Sequence, residues 1–195
     1  MMTQLTLNEI VHLILEGENR NLFAKIIAID GPAGSGKSTL AKRLAQSEII
    51  QKEFEASIEV IHMDDLYDGW ENALTPSLSR KLLHAIVQPV SMGKNFSFSK
   101  YDWLSRKFID APELRAPKLL ILEGVGSAQR AVASFLDQII WIEIDPVTGL
   151  DRVLKRDGDY LADQMALWQI REVEHFRRDN TRERASIRID GKYFI

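Results

Sequence analysis

The stretch Gly31-Pro32-Ala33-Gly34-Ser35-Gly36-Lys37-Ser38-Thr39 places glycines, a lysine and hydroxyl side chains in the spacing G-x-x-x-x-G-K-[ST]. Glycines at these positions let the backbone curl until successive N–H groups point at one phosphate, and a helix starting here adds its positive end. Gly31, Ala33, Gly34, Ser35, Gly36, Lys37, Ser38 and Thr39 are therefore the expected contacts to a nucleoside triphosphate, taken as ATP. Lys37 would reach the outer phosphates, and Ser38 would offer its hydroxyl to Mg²⁺. A bare glycine turn between a strand and a helix would use the same residues without a ligand. The apolar run before the stretch and the helical pattern after it supply the context that the phosphate-binding reading requires.

Moving a phosphoryl group also takes carboxylates beside the cradle, to hold metal and to accept the proton of an attacking hydroxyl. Asp64 is the first acid after the apolar run 57–63 and is the expected base and a metal ligand. Asp65 would point elsewhere, and Asp68 before Gly69 reads as turn chemistry. Glu123 closes the run 118–122 with the same logic, holding a Mg²⁺-bound water or a substrate hydroxyl. Arg152 and Arg156 lie four apart in a helical stretch and share a face. On a flap they would offset charge over the β- and γ-phosphates, whereas Asp151 and Asp157 as partners would make the same face an ordinary solvated one. The expected catalytic set is Lys37, Asp64, Arg152 and Arg156; the expected metal set is Ser38, Asp64 and Glu123. His62 reads as a packed, satisfied histidine, and the other histidines lack metal spacing. The arginines from 171 to 184 alternate with Glu172, Glu174, Asp179 and Glu183, the pattern of a salt-bridged solvent face. Trp168 and Phe176 read as core.

These groups need a scaffold that brings distant segments to one edge. Continuous apolar runs predict buried strands at 24–30, 57–63, 118–122 and 138–144, with a short fifth at 185–189. Helical patterns fill 127–136, 147–156 and 159–180. A leading helix is expected over 6–17, with Thr6 and Glu9 as a capping box and Gly17 at its end. Strands alternating with helices describe a parallel sheet covered on both faces, which binds ligands at the carboxyl ends of its strands. The alternating segment 95–101 has one wet face and belongs to a small arm over that edge rather than to the sheet.

The chain has 195 residues, enough for one domain with a sizeable core. Its net charge is −3, which does not favour a nucleic acid partner. It contains no cysteine, so disulfides, thiolate metal sites and a cysteine nucleophile are excluded. The N-terminal residues lack a basic flank followed by a long apolar run, and no apolar run approaches a bilayer span. The expectation is a soluble, cytoplasmic protein with a small-molecule acceptor as partner, no nucleic acid and no membrane. A homo-oligomer is compatible with the sequence.

Taken in order, the cradle 31–38, Asp64-Asp65-Leu66-Tyr67, Tyr101-Asp102-Trp103, Leu122-Glu123-Gly124 and the stretch Arg152 to Asp157 resemble the uridine kinase branch of the P-loop kinases, related to phosphoribulokinase and pantothenate kinase, over roughly 24–191. The resemblance implies an α/β fold, the P-loop NTPase three-layer sandwich with a five-stranded parallel sheet, a helical lid and a small hairpin arm. It implies one domain over 1–195, with an acceptor arm at about 71–112 and a lid at about 151–165. It also implies an ATP- and Mg²⁺-dependent kinase acting on a hydroxyl, with Asp64 as base. Asp64, Tyr67, Tyr101 and Asp102 would then line the acceptor pocket. The branch usually carries an acidic loop that grips ribose and a histidine after Tyr-Asp-Phe that reads uracil. Here 71–94 shows no counterpart to the loop, and Leu104, Ser105 and Arg106 stand where the histidine would be. Arg106 could instead favour an acceptor bearing a carboxylate or phosphate. Two other readings are a nucleoside monophosphate kinase, with Arg80, Arg106 and Arg115 around the acceptor, and a nucleotide-binding regulatory module without kinase activity. Against a GTP switch stands the lack of an Asn-Lys-x-Asp reader; against a motor, Glu123 in place of a strand-terminal Asp.

Overall fold

The computed structural model describes residues 4–193. In chain order the elements are α1 (Leu7–Glu16), β1 (Lys25–Asp30), α2 (Lys37–Ala45), α3 (Glu48–Glu53), β2 (Ile58–His62), α4 (Pro76–Lys81), α5 (Gln88–Ser91), β3 (Ser99–Asp102) and β4 (Lys107–Asp110). They continue with β5 (Leu119–Glu123), β6 (Gln138–Glu143), α6 (Pro146–Asp157), α7 (Ala162–Asp179), α8 (Thr181–Arg184) and β7 (Ile187–Asp190).

Five strands form one parallel sheet in the order β2-β5-β1-β6-β7, while β3 and β4 form a separate antiparallel hairpin. Because side chains alternate along a strand, each central strand feeds both layers. Ile26, Ala28, Leu120, Leu122 and Trp141 pack on one side against Leu78, Leu82 and Ile86 and against Trp168 of α7. Ile27, Ile29, Ile121, Ile140 and Ile142 pack on the other against α1 and α2. This is the three-layer arrangement expected of unbroken apolar strands. Thr6 caps α1 in a capping box with Glu9, and Gly17 ends it.

The register carries function. Glu123 lies opposite Ile29 on one side and His62 on the other, so the carboxyl ends of β1, β5 and β2 form one edge.

Two stretches differ from expectation. Residues 127–136 are turns with a short 3-10 segment (Arg130–Val132), not a helix. The reason is local: the N–H groups of Gly126 and Ala128 are taken by the Asp30 carboxylate and the Ser127 hydroxyl by Ile29 O, so the chain is pinned to the strand edge before a helix can start. Within 71–112, only the hairpin is an arm. Residues 76–91 form a continuous helical run, α4 leading through a π-helical turn (Leu82–Val87) into α5, whose Leu78, Leu82, Ile86 and Val90 belong to the core.

Candidate active site

The loop between β1 and α2 is built close against its surroundings. Gly36 caps α2 in the left-handed region at φ 102°, which turns the loop into the helix. An added Cβ at Gly34 would lie 2.2 Å from Gly149 O, so the loop crest touches the backbone of α6 directly. Ala33, Gly34, Gly36, Lys37, Ser38 and Thr39 line a cleft of about 440 Å³, whereas Gly31 and Ser35 are buried outside its lining. Lys37 is buried, and its Nζ donates to Pro32 O at 2.7 Å and Ser35 Oγ at 3.4 Å, held across the loop it would serve.

Behind the loop sits Asp30, fully buried. Its two oxygens accept the N–H groups of Gly31 (2.8 Å), Gly126 (3.1 Å) and Ala128 (2.9 Å), tying the start of the loop to the turn after β5. Burial pushes its carboxyl up to about 6, against the pull of those N–H groups and of Lys37.

The carboxylates at the sheet edge face the same cleft. Asp64 and Glu123 both line it with Ser38. Desolvation by the cleft walls, followed by the Glu123 charge, raises the Asp64 carboxyl above its ordinary value, while Lys37, Arg156 and His62 oppose the rise. Asp65 turns away and pairs with Lys100 of the hairpin at 2.9 Å. His62 is satisfied but not packed: its ring is half exposed, and Nδ1 hydrogen-bonds Glu123 Oε1. That bond holds the imidazole above its ordinary value. The strand ends at His62, so its side chain meets the neighbouring strand's terminal acid instead of the core.

The segment 151–165 contributes Arg152, Val153, Arg156, Asp157, Leu161 and Met165 to the lining of the cleft. Arg152 donates from Nη1 to Gly191 O (2.9 Å) and to Gly34 O of the loop (3.4 Å). Arg156 lines the cleft while making a two-pronged pair with Asp157 at 2.7 and 2.6 Å. Its field also reaches Asp64 and Glu123. Lys155 pairs outward with Asp151.

Aromatic rings make a wall of the cleft. Tyr67, Trp70, Trp103 and Trp168 all line the cleft. Tyr101, Trp103, Trp70, Trp168 and Tyr67 run in series with centroid separations of 5.1, 5.2, 5.6 and 5.4 Å. Tyr67 OH donates to Val125 O, Trp103 Nε1 to Asp64 O, and Arg171 to Trp70 O, so each flank of the wall is anchored.

Three residues expected to line the acceptor pocket stand elsewhere. Tyr101 backs Trp103 edge-on, outside the lining. Asp102 spends its carboxylate on the hairpin turn, accepting from Leu104 N, Ser105 N and Ser105 Oγ. Arg106 is exposed at φ 54° in that turn, away from the cleft. Trp70, Trp103 and Trp168 were not among the expected contacts, although Trp103 ends the stretch Tyr101-Asp102-Trp103 and Trp70 lies three residues after Tyr67.

Glu172 is a larger correction. It is 3% exposed and accepts the Ala33 N–H at 3.0 Å, not part of a solvent face. Its signal lies in the spacing of the buried α7 residues Met165, Trp168, Glu172, His175 and Asp179: one stripe at alternating steps of three and four.

No group of three or more His, Cys, Asp or Glu side chains suited to a metal occurs among the described residues. Mg²⁺ does not demand one, because it binds through one or two carboxylates with phosphates and waters. Ser38, Asp64 and Glu123 offer hard oxygen donors in one cleft, and the mutual repulsion of the two carboxylates is what a cation between them would relieve. The residues fit.

Residues 27–174 match the family model described as AAA domain. No curated protein matches the chain. Among solved structures, a possible uridine kinase from Bacillus stearothermophilus aligns at TM-score 0.69 and 17% identity, covering 94% of this chain and 97% of that one. A candidate fructose transport system kinase from Silicibacter sp. TM1040 aligns at 0.71 and 17%, covering 95% and 98%. A circularly permuted candidate P-loop kinase from Saccharomyces cerevisiae aligns at 0.62 and 11%, covering 95% and 98%. The fold is therefore that of the P-loop kinases. No helix among the described residues is long and apolar enough to cross a membrane.

Proposed function

The chain belongs to the AAA domain family, and on that premise we propose that it is an ATP- and Mg²⁺-dependent kinase that phosphorylates a hydroxyl of a small, uncharged, ring-bearing metabolite. The observation that carries the reading is the pairing, in one cleft, of Lys37, Ser38, Asp64 and Glu123 with a wall of indole and phenol rings. A binding module would need the loop but neither the paired acids nor the lid arginines.

The roles follow from position. The loop amides and Lys37 orient the phosphates, and Arg152 and Arg156 meet charge that builds up as the terminal phosphoryl leaves. Asp64 accepts the proton of the attacking hydroxyl, a role open to the carboxylate that lines the cleft beside Lys37 and Ser38. Bound by Ser38, Asp64 and Glu123, Mg²⁺ would neutralise charge on the phosphate oxygens. The aromatic wall excludes water, which would otherwise compete as acceptor.

The acceptor's character follows from what lines its side. The cations in the lining are Lys37, Arg152 and Arg156, all on the loop or lid, while Arg80, Arg106 and Arg115 do not line it. This supports an uncharged acceptor over a nucleoside monophosphate. A ring stacked on Trp70 or Trp103 fits the wall, and a nucleoside-like compound is the leading member of that class by resemblance.

The test is ATP consumption by the purified chain with Mg²⁺ against nucleosides, nucleoside monophosphates, pantothenate and sugar alcohols, with Lys37→Ala as blank. Lys37-dependent stimulation by an uncharged ring-bearing alcohol is expected. Stimulation only by monophosphates would overturn the acceptor class, and ATP binding with no stimulation at all would overturn the kinase reading.

A further inference from the structure

Glu172 lies outside the lining of the cleft, yet it is bonded to the loop that forms one side of it. The Ala33 N–H is held by Glu172 Oε2 from α7, and the neighbouring peptide is confined by α6, where an added Cβ on Gly149 would fall 2.6 Å from Ala33 O. Arg152 adds a bond to Gly34 O. The crest of the loop is thus set from outside by the two helices that carry and follow the lid.

A buried carboxylate next to a phosphate site is an electrostatic liability unless its charge is adjustable. The charged and titratable groups facing Glu172 are Lys37 on α2, Asp30 at the end of β1 and the Tyr67 phenol, with the Trp168 indole hydrogen-bonding from its own helix. Lys37 favours the carboxylate and Asp30 opposes it. Burial dominates and pushes the carboxyl up to about 7. A triphosphate in the loop engages Lys37 and brings further negative charge, so both changes act against an ionised Glu172.

Resting on the ATP-binding reading above, we propose that Glu172 is a positioning residue that holds the Ala33 peptide for the incoming phosphates and becomes more fully protonated from solvent when they arrive. The proton adds to one carboxylate oxygen, and the other keeps accepting the Ala33 N–H. By linkage, nucleotide then binds the protonated form more tightly, and its affinity falls as pH rises through neutrality. Each unit by which binding raises the carboxyl's pKa is worth about tenfold in Kd across that range.

The experiment is calorimetric titration of the full chain with Mg²⁺ and the β,γ-imido analogue of ATP, near neutral pH, in buffers of different ionisation enthalpy. Wild type is expected to take up protons on binding. Glu172→Gln keeps an oxygen for the Ala33 N–H but cannot titrate, so it should take up fewer and lose the corresponding pH dependence of Kd. Protonation of the analogue is common to both proteins and cancels. Equal uptake in both proteins, or none in wild type, would overturn the role of Glu172 while leaving nucleotide binding intact. Absence of binding by wild type would overturn the ATP reading itself. Glu172→Asp is the second variant, for it keeps a titrating group but withdraws it from the loop: reduced uptake supports the proposal, and unaltered uptake overturns it.

Discussion

Gly149→Ala tests how the loop is held, because two effects of known size oppose each other there. Gly149 lies inside α6, where alanine is favoured over glycine by about 1 kcal/mol from helix propensity alone. Its added Cβ, however, would stand 2.6 Å from Ala33 O. Ordinary carbon–oxygen contact begins near 3.4 Å, so helix or loop must yield by about 0.8 Å. Neither side is a flexible side chain. The loop is bonded to Arg152 and Glu172, and Gly34 already meets Gly149 O from the other direction. Overpacking of this kind costs about 1–3 kcal/mol, so the net stability change lies between roughly neutral and a loss of about 2 kcal/mol. The larger consequence is for binding. Displacing an N–H by several tenths of an ångström weakens a charge-assisted hydrogen bond worth about 1.5–3 kcal/mol, and ATP affinity should fall about tenfold or more. Differential scanning calorimetry and ATP titration read the two effects separately. A melting temperature raised by about 2–4 °C, as propensity alone dictates for a chain of this size, together with ATP affinity unchanged within about twofold, would refute the close-contact argument.

Asp64→Asn should retain ATP binding and lose about 10²–10⁴-fold in kcat with the acceptor, the range for a positioned base; turnover within a few-fold of wild type removes Asp64 from that role. Trp103→Ala withdraws a ring that contacts Trp70 and Tyr101 and a hydrogen bond to Asp64 O, so KM for the acceptor should rise about tenfold with KM for ATP little changed, and an unchanged acceptor KM would show that the wall does not bind it. Stability should also report Glu172. Its folded value of about 7 lies above the unfolded 4.5, so the native state holds the extra proton between these limits and stability falls as pH rises through that window, by on the order of 3 kcal/mol. Urea unfolding of wild type and Glu172→Gln at pH values below and above the window should show the variant gaining relative to wild type by that amount, and parallel pH profiles would contradict it.

The legible parts of the fold were those whose cause is local. Each central strand is a run of apolar residues with both faces buried, and the glycine spacing between β1 and α2 requires its turn whatever surrounds it. The run 76–91 fell inside the expected arm at about 71–112, and a proline within a helical pattern ordinarily ends the helix before it. Pro89 is the second residue of α5, directly after the π-helical turn at Leu82–Val87, a position where its missing N–H is tolerated. The stretch 127–136 misled for the opposite reason: its pattern permits a helix, but the Asp30 carboxylate, 98 residues before Ala128 in the sequence, captures the Ala128 N–H.

The same distinction separates the motif from the site. The loop sequence specifies which N–H groups exist; where they aim is decided by Asp30 beneath them, Gly149 against them and Glu172 behind them. Two of these three are acids, a residue type that reads as surface when its neighbours alternate in sign. On α7 the periodicity contradicts that reading, since Glu172 falls on the same stripe as Met165 and Trp168 while Arg171 and Glu174 fall beside it. An acid on an apolar stripe is a cost that folding bears only if a buried donor meets it, and the donor here is the phosphate loop itself. Helical phase therefore carries information about the active site that charge pattern conceals. The stripe on α7 identifies a functional contact without any catalytic motif on that helix.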